Sequence, residues 1–341
     1  MKAIPLVRAN SILPIVKFLE QLGTPTERLI REAKLPLSML EDPETLISLY
    51  HGFAFLEKVA HCEGIEHLGI LVNQQTQITD LGIFSKILCQ SLTLYDLLNT
   101  ISVLLTTTYN SGARVWLTDK DDQVWLNHQY FNPAKVNNQQ AQYYASLKYL
   151  KIIQLLMGTQ WYPIALHFQA DQLSGLDDIE LFSHTRVYFQ QPNNAIAFPK
   201  SLLTLPLQHR INSNLCYQQQ TYEILQSSAP ATDFTTSLRQ LIREHLKGGY
   251  PDVKLAAEAA GMSTRTLQRR LAQEGLNYSR LVEQVRFDLA MILLQYATLQ
   301  LNDIASELGY TEPANFTRSF KRWVGISPRG FRHFYKDSSQ E

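Results

Sequence analysis

Two stretches near the C-terminal end carry the side chains with most to offer chemically, and what they offer is recognition rather than bond-making. The first runs from Leu255 through Gly261, Ser263 and Arg265 to Leu267-Gln268-Arg269-Arg270-Leu271. The second runs from Asp303 through Gly309, Thr311 and Pro313-Ala314-Asn315 to Phe316-Thr317-Arg318-Ser319-Phe320. On a helical wheel of about 100° per residue, Leu267 and Leu271 share one side, and Arg265, Gln268, Arg269 and Ala272 share the other. In the second stretch Phe316 and Phe320 oppose Ala314, Thr317, Arg318, Lys321 and Arg322. Arg can bond a guanine edge in bidentate fashion, Gln an adenine edge, and Ala leaves room for a thymine methyl. Lys and flanking Arg suit phosphates, which position a protein without reading sequence. A merely solvated face on two ordinary amphipathic helices is the bland alternative. Duplication of turn, cap and basic face weighs against it.

The elements that must hold these faces are legible nearby. Each stretch starts with a short Ala-bearing helix, turns at Gly261 or Gly309, and continues past a Ser or Thr able to cap a second helix. This is helix-turn-helix grammar. Residues 226–237 are polar and small, with one Pro, and predict a linker; everything after them predicts helix. The region before reads as α+β, with many helices and a small sheet. Its first hundred residues predict helices alone, over 12–22, from Thr24-Pro25, over 43–59, from about 80 to 92, and over 94–109. Arg114–Leu117 and Val124–Asn127 predict a hairpin, 139–157 a helix, and 164–168, 186–189 and 195–198 short strands. Aromatic residues cluster around these strands. Trp116, Trp125, Tyr144 and Trp161 are the candidate ligand-binding residues, with core packing as the competing role. Arg114, His128, Lys148 and His167 could supply charge for an anionic ligand.

Composition bounds the remaining possibilities. The chain has 341 residues, 45% apolar and 18% charged, with a net charge of zero, which excludes disorder as the main state. The balance is uneven along the chain. Residues 233–341 hold 15 basic and 12 acidic side chains, so the surplus of positive charge lies with the two basic faces. No phosphate-cradling Gly-rich loop, zincin helix or nucleophile elbow occurs, so an enzyme is not expected. Three scattered cysteines and no ligand spacing imply no metal, no cofactor and a reduced, cytoplasmic protein. The N-terminus does not read as a signal peptide, and the uncharged run from Ile152 to Ala170 is expected to be buried core, not a membrane span.

These residues resemble the AraC/XylS family of bacterial transcription regulators over about 236–336. The resemblance rests on Leu267–Leu271, Gly275, Arg286, Ala290 and Leu293-Leu294, then on Ile304-Ala305, Gly309-Tyr310, Phe316–Trp323, Gly325–Pro328 and Phe331-Arg332. It implies two helix-turn-helix subdomains joined by a linker helix over about 278–295, with both recognition helices entering successive major-groove segments. It makes Arg265, Gln268, Arg269, Ala314, Thr317 and Arg318 the base-reading candidates, Arg286 half of a structural ion pair, and Trp323 core. The N-terminal region is similar to the arabinose-binding-type domain of OruR/ArgR-like regulators. The carriers are Leu22-Gly23, Leu81-Gly82 to Leu94, Arg186–Phe189, Asn194–Phe198 and Leu205-Pro206-Leu207. The implied organisation is an effector-sensing or dimerisation domain over 1–225, a linker over 226–237 and a DNA-binding domain over 238–336. The implied partners are double-stranded DNA, a small-molecule effector, RNA polymerase if the protein activates, and a second copy in a homodimer. The alternative is a DNA-binding regulator whose N-terminal domain only dimerises or binds a protein partner.

Overall fold

The computed structural model describes residues 3–75, 77–131, 135–157, 161–172, 176, 179–207, 219–296 and 298–337. They form two compact units. One comprises Pro5–Leu35 and Met39–Ala231, the other Met1–Ile4, Pro36–Ser38 and Thr232–Glu341.

The larger unit mixes helices and strands. Its strands are β1 (Leu6–Arg8), β2 (Leu46–Ser48), β3 (Ala113–Lys120), β4 (Gln123–Tyr130), β5 (Ala165–His167), β6 (Arg186–Tyr188) and β7 (Asn194–Pro199). Its helices are α1 (Leu13–Gln21), α2 (Thr26–Glu32), α3 (Leu49–Cys62), α4 (Leu68–Gln75), α5 (Ile83–Leu88), α6 (Leu94–Leu104), α7 (Gln139–Met157), α8 (Glu180–Ser183) and α9 (Gln219–Ser227). The main sheet has the order β3-β4-β7-β5-β6, antiparallel except for the β5–β6 pair. Central β7 is buried along its length as far as Phe198, as its apolar Ala195–Phe198 run requires of a strand covered on both faces. The expected hairpin forms, with Trp116 opposite Asn127 and a two-residue turn at Asp121-Asp122.

Two expectations are corrected. The first hundred residues are not helices alone, because Leu6–Arg8 and Leu46–Ser48 pair as an antiparallel ribbon. The helix expected over 43–59 therefore splits into β2 and α3, and Ser48 caps α3 by accepting from the His51 amide. Three-residue strands leave no periodicity to detect, and their pairing spans some forty residues. The helix expected over 94–109 also ends early: α6 stops at Leu104, and a π-helical turn covers Leu105–Tyr109. Of the apolar run 152–170, residues 158–160 lie outside the described residues; its remainder contributes buried Ile152, Ile153, Ala165, Leu166 and Phe168.

The smaller unit is helical: α10 (Phe234–Leu246), α11 (Val253–Ala259), α12 (Thr264–Gln273), α13 (Tyr278–Leu293), α14 (Leu301–Glu307), α15 (Pro313–Val324) and α16 (Pro328–Asp337). Side chains announce the starts: Asp233, Asp252, Ser263 and Asn277 each accept from the amide three residues on. Within the stretch 226–237, α9 ends at Ser227 and α10 begins at Phe234. Among the described residues no helix is long and apolar enough to cross a membrane.

Candidate functional site

The two helix-turn-helix units are α11–α12 and α14–α15. In each, the apolar spine is inside and the basic face outside. Leu267 and Leu271 are fully buried, whereas Arg265, Gln268 and Arg269 are exposed. Phe316 and Phe320 are buried in a cluster with Ala290, Leu294, Ile304, Ala305 and Leu308. Ala314, Thr317, Arg318, Lys321 and Arg322 are exposed on the opposite face of α15. The structure therefore gathers the sequence candidates into two faces, one per helix.

The two faces are finished differently. Ser263 caps α12, but no side chain caps α15, whose N-cap is Glu312; the expected Ser/Thr cap is absent there. Pro313 takes the first helical position, where no backbone donor is needed. The Thr317 hydroxyl donates to the Pro313 carbonyl at 3.2 Å, and Arg318 donates to the Asn315 side chain. Arg322 pairs with Glu283 of α13 at 3.1 Å, both well exposed. Arg265, Gln268 and Arg269 stand clear on the surface of α12.

Arg286 is structural, but not as the ion pair that the resemblance implied. Its guanidinium donates to the carbonyls of Leu308 and Gly309, at 2.9 and 2.8 Å, and lies 4.3 Å from the Tyr310 ring centre. The end of α14 offers unsatisfied carbonyls, and a cation placed there answers both the hydrogen-bond need and the helix dipole. Trp323 packs edge-on against Phe287 at 5.8 Å and Phe320 at 6.5 Å, beside the core.

The larger unit contains a cavity walled by β1, α3, the π-helical turn, β4 and α7. Val7, Leu49, Phe53 and Ala145 give it apolar sides, and Tyr109, His128 and Lys148 put polar groups on it. Lys148 is 7% exposed. Its ammonium lies 3.5 Å from the Ser11 carbonyl oxygen and 4.5 Å from the Tyr144 ring centre. Burial lowers it to about 8, against an opposing pull from Asp80. Among the described residues, the Tyr109 hydroxyl, Ser11 Oγ and His128 Nδ1 have no hydrogen-bond partner. Of the four aromatic candidates, Tyr144 lines this cavity. Trp116 lies under the Arg114 guanidinium at 4.2 Å, Trp125 packs on His167 at 4.5 Å, and Trp161 faces Phe198 at 6.3 Å. Of the four charge candidates, His128 and Lys148 reach the cavity. Sequence reasoning missed Tyr109, which sits in the π-helical turn and reaches the cavity only through contacts distant in sequence.

His128 gives the larger unit an acid limit. It is 3% exposed, packs on Tyr130 and Tyr149, and burial holds it near 3, far below a free imidazole. The folded state keeps it neutral, while the unfolded chain takes a proton below about 6.5. The unfolded state thus binds more protons between about 6.5 and 3, and stability falls as pH drops through that window. The expected loss is about 2 kcal/mol by pH 5, read from urea unfolding of the full chain. His128→Gln should flatten this acid limb; an unchanged limb would assign it to another group.

Two family models match the chain. Residues 256–333 match a helix-turn-helix domain. Residues 23–207 match the arabinose-binding domain found at the N-terminus of AraC transcription regulators, and that span is more than half of the chain. The chain belongs to the AraC family of transcription regulators. This AraC-family member is a DNA-binding transcriptional regulator with an arabinose-binding-type N-terminal domain. It is 26% identical, over 90% of both chains, to an uncharacterized HTH-type transcriptional regulator of Mycobacterium tuberculosis. It is 31% identical to the ornithine utilization regulator of Pseudomonas aeruginosa over 42% of each chain. The crystal structure of the transcriptional regulator CdpR from Pseudomonas aeruginosa aligns with a TM-score of 0.42 at 19% identity, over 95% of this chain and 98% of that one.

Proposed function

We propose that this AraC-family regulator reads two successive major-groove segments, one with α12 and one with α15, under control of a small effector bound in the larger unit. The observation that carries the first half is the shared design of the two helices: a buried spine and an exposed face of Arg, Gln, Thr and Lys. On this reading Arg265, Gln268 and Arg269, with Ala314, Thr317 and Arg318, face base edges, while Lys321 and Arg322 meet phosphate. Glu283 competes with phosphate for Arg322, which makes Lys321 the freer phosphate contact. The protein acts in the cytoplasm, as a regulator and not an enzyme. It works as a homodimer, since paired subunits on tandem sites gain effective concentration, and it touches RNA polymerase where it activates.

The test is a pair of substitutions on a selected binding site. Arg269→Ala is expected to lose about 1–3 kcal/mol on that site and to relax preference at one position. Lys321→Ala is expected to weaken specific and non-specific DNA alike and to lower the salt slope by about one ion. Parent-like binding by both variants would overturn the face assignment.

Effector control follows from linkage. An effector moves the equilibrium between DNA-competent and incompetent states only by its differential affinity for them. The supporting observation is the cavity with its buried, partnerless polar atoms. If the N-terminal domain served only for dimerisation or for a protein partner, filling that cavity would leave regulated expression unaltered.

A further inference from the structure

The effector cavity has a chemical character of its own. It gives the centres of water-sized spheres about 60 Å³, several times the roughly 10–15 Å³ that admits a single water. Its sides are aliphatic and aromatic, from Val7, Leu49, Phe53 and Ala145. Among the described residues that line it, Lys148, which is buried, is the one cationic side chain, and none is Asp or Glu. In the structure the ammonium is held by a single long hydrogen bond to the Ser11 carbonyl and by the face of Tyr144, and Asp80, which does not line the cavity, attracts it without an ion pair. A buried cation calls for a counter-charge. The Tyr109 hydroxyl, in the π-helical turn and with its residue 4% exposed, is a second donor lining the same cavity, with no partner among the described residues.

We infer that the cavity binds a compact organic monoanion, one carboxylate on an apolar body, with the carboxylate between Lys148 and Tyr109 and the body against Phe53 and Leu49. This inference rests on the effector reading and names the ligand class for it. An ammonium plus a phenolic O–H suits an acceptor-only group, and the charge-assisted bond is the stronger of the two. A cationic or zwitterionic ligand lacks a carboxylate partner in the wall. A sugar would bring several hydroxyls against aliphatic sides and leave them unsatisfied. The size of the cavity favours a short-chain or single-ring acid over a long acyl chain.

Calorimetry and thermal shift on the full chain test the inference. The probes are phenylacetate and hexanoate, their neutral carboxamides, L-ornithine and L-arabinose. The two acids are expected to bind at least tenfold more tightly than their amides. Lys148→Met should remove that preference while leaving amide binding unaltered, and Lys148→Arg should retain part of it. Ala145→Phe, which fills the cavity, should abolish binding of both. Equal affinity for acid and amide, or acids that bind Lys148→Met as tightly as the parent, would overturn the role of Lys148. Binding of ornithine or arabinose but not of the acids would overturn the ligand class and leave the effector reading intact. Failure of every probe would also overturn the class. The effector reading itself falls only if folded Ala145→Phe protein regulates expression in cells as the parent does.

Discussion

Gly309→Ala is expected to destabilise the smaller unit by more than about 3 kcal/mol and to abolish DNA binding. Gly309 has a φ of +71°, a left-handed conformation that costs an L-residue roughly 1–2 kcal/mol. That strain is the minor part. A Cβ on Gly309 would stand 2.7 Å from the Gly249 carbonyl oxygen and closer still to that of Leu246. Both obstacles are backbone, so no side chain can swing aside. Gly325 provides the internal control. Its φ is +85°, but a Cβ there meets nothing within 4 Å. Gly325→Ala should therefore cost about 1 kcal/mol. Urea unfolding of the two variants separates conformational strain from collision, and equal costs would remove the collision from the account.

The second large effect lies at Arg8. This side chain is wholly buried, and each part of its guanidinium is used. Nη1 pairs with Glu44 at 3.0 Å, and Nε donates to the Thr108 carbonyl at 2.8 Å. Nη2 donates to the carbonyls of Leu225 and Ser228 and to the Ser228 hydroxyl. One residue of β1 thus ties the π-helical turn to the end of α9. Arg8→Met should cost about 3–5 kcal/mol, because it leaves Glu44 and three carbonyls facing an apolar side chain. Adding Glu44→Gln should recover part of that loss, since the uncompensated charge goes with it. A double variant no more stable than Arg8→Met alone would show that the carbonyl bonds, not the ion pair, dominate.

The two helix-turn-helix units were legible in the sequence because their information is local. A left-handed Gly and a 3.6-residue period fall within twenty residues in each unit, with the Ser263 cap in the first. The hairpin was legible for the same reason: alternation and a turn lie side by side. The cavity was not. Val7, Leu49, Tyr109, His128 and Lys148 come from five elements, and only folding brings them together. Composition drew attention to tryptophans, yet Trp116, Trp125 and Trp161 pack on Arg114, His167 and Phe198. Lys148 and His128 stood among the charge candidates, but only their burial separates them from Arg114 and His167. The Arg286 partner was missed because helix-end carbonyls carry no residue type to search for.

The junction at Gly309 has a consequence for DNA. Arg286 holds the end of α14, Gly309 lies against the turn after α10, and Lys247 pairs with Glu307 at 3.3 Å across the same seam. On the proposed reading, α12 and α15 are the jaws of a caliper joined across this seam. If both engage, the duplex must bring its two target segments to the caliper's opening by bending or changing its twist. Base pairs between the segments, touched by no side chain, then enter the binding energy through their stiffness. An operator lengthened there by about half a helical turn, roughly five base pairs, would present its second segment on the far side of the duplex.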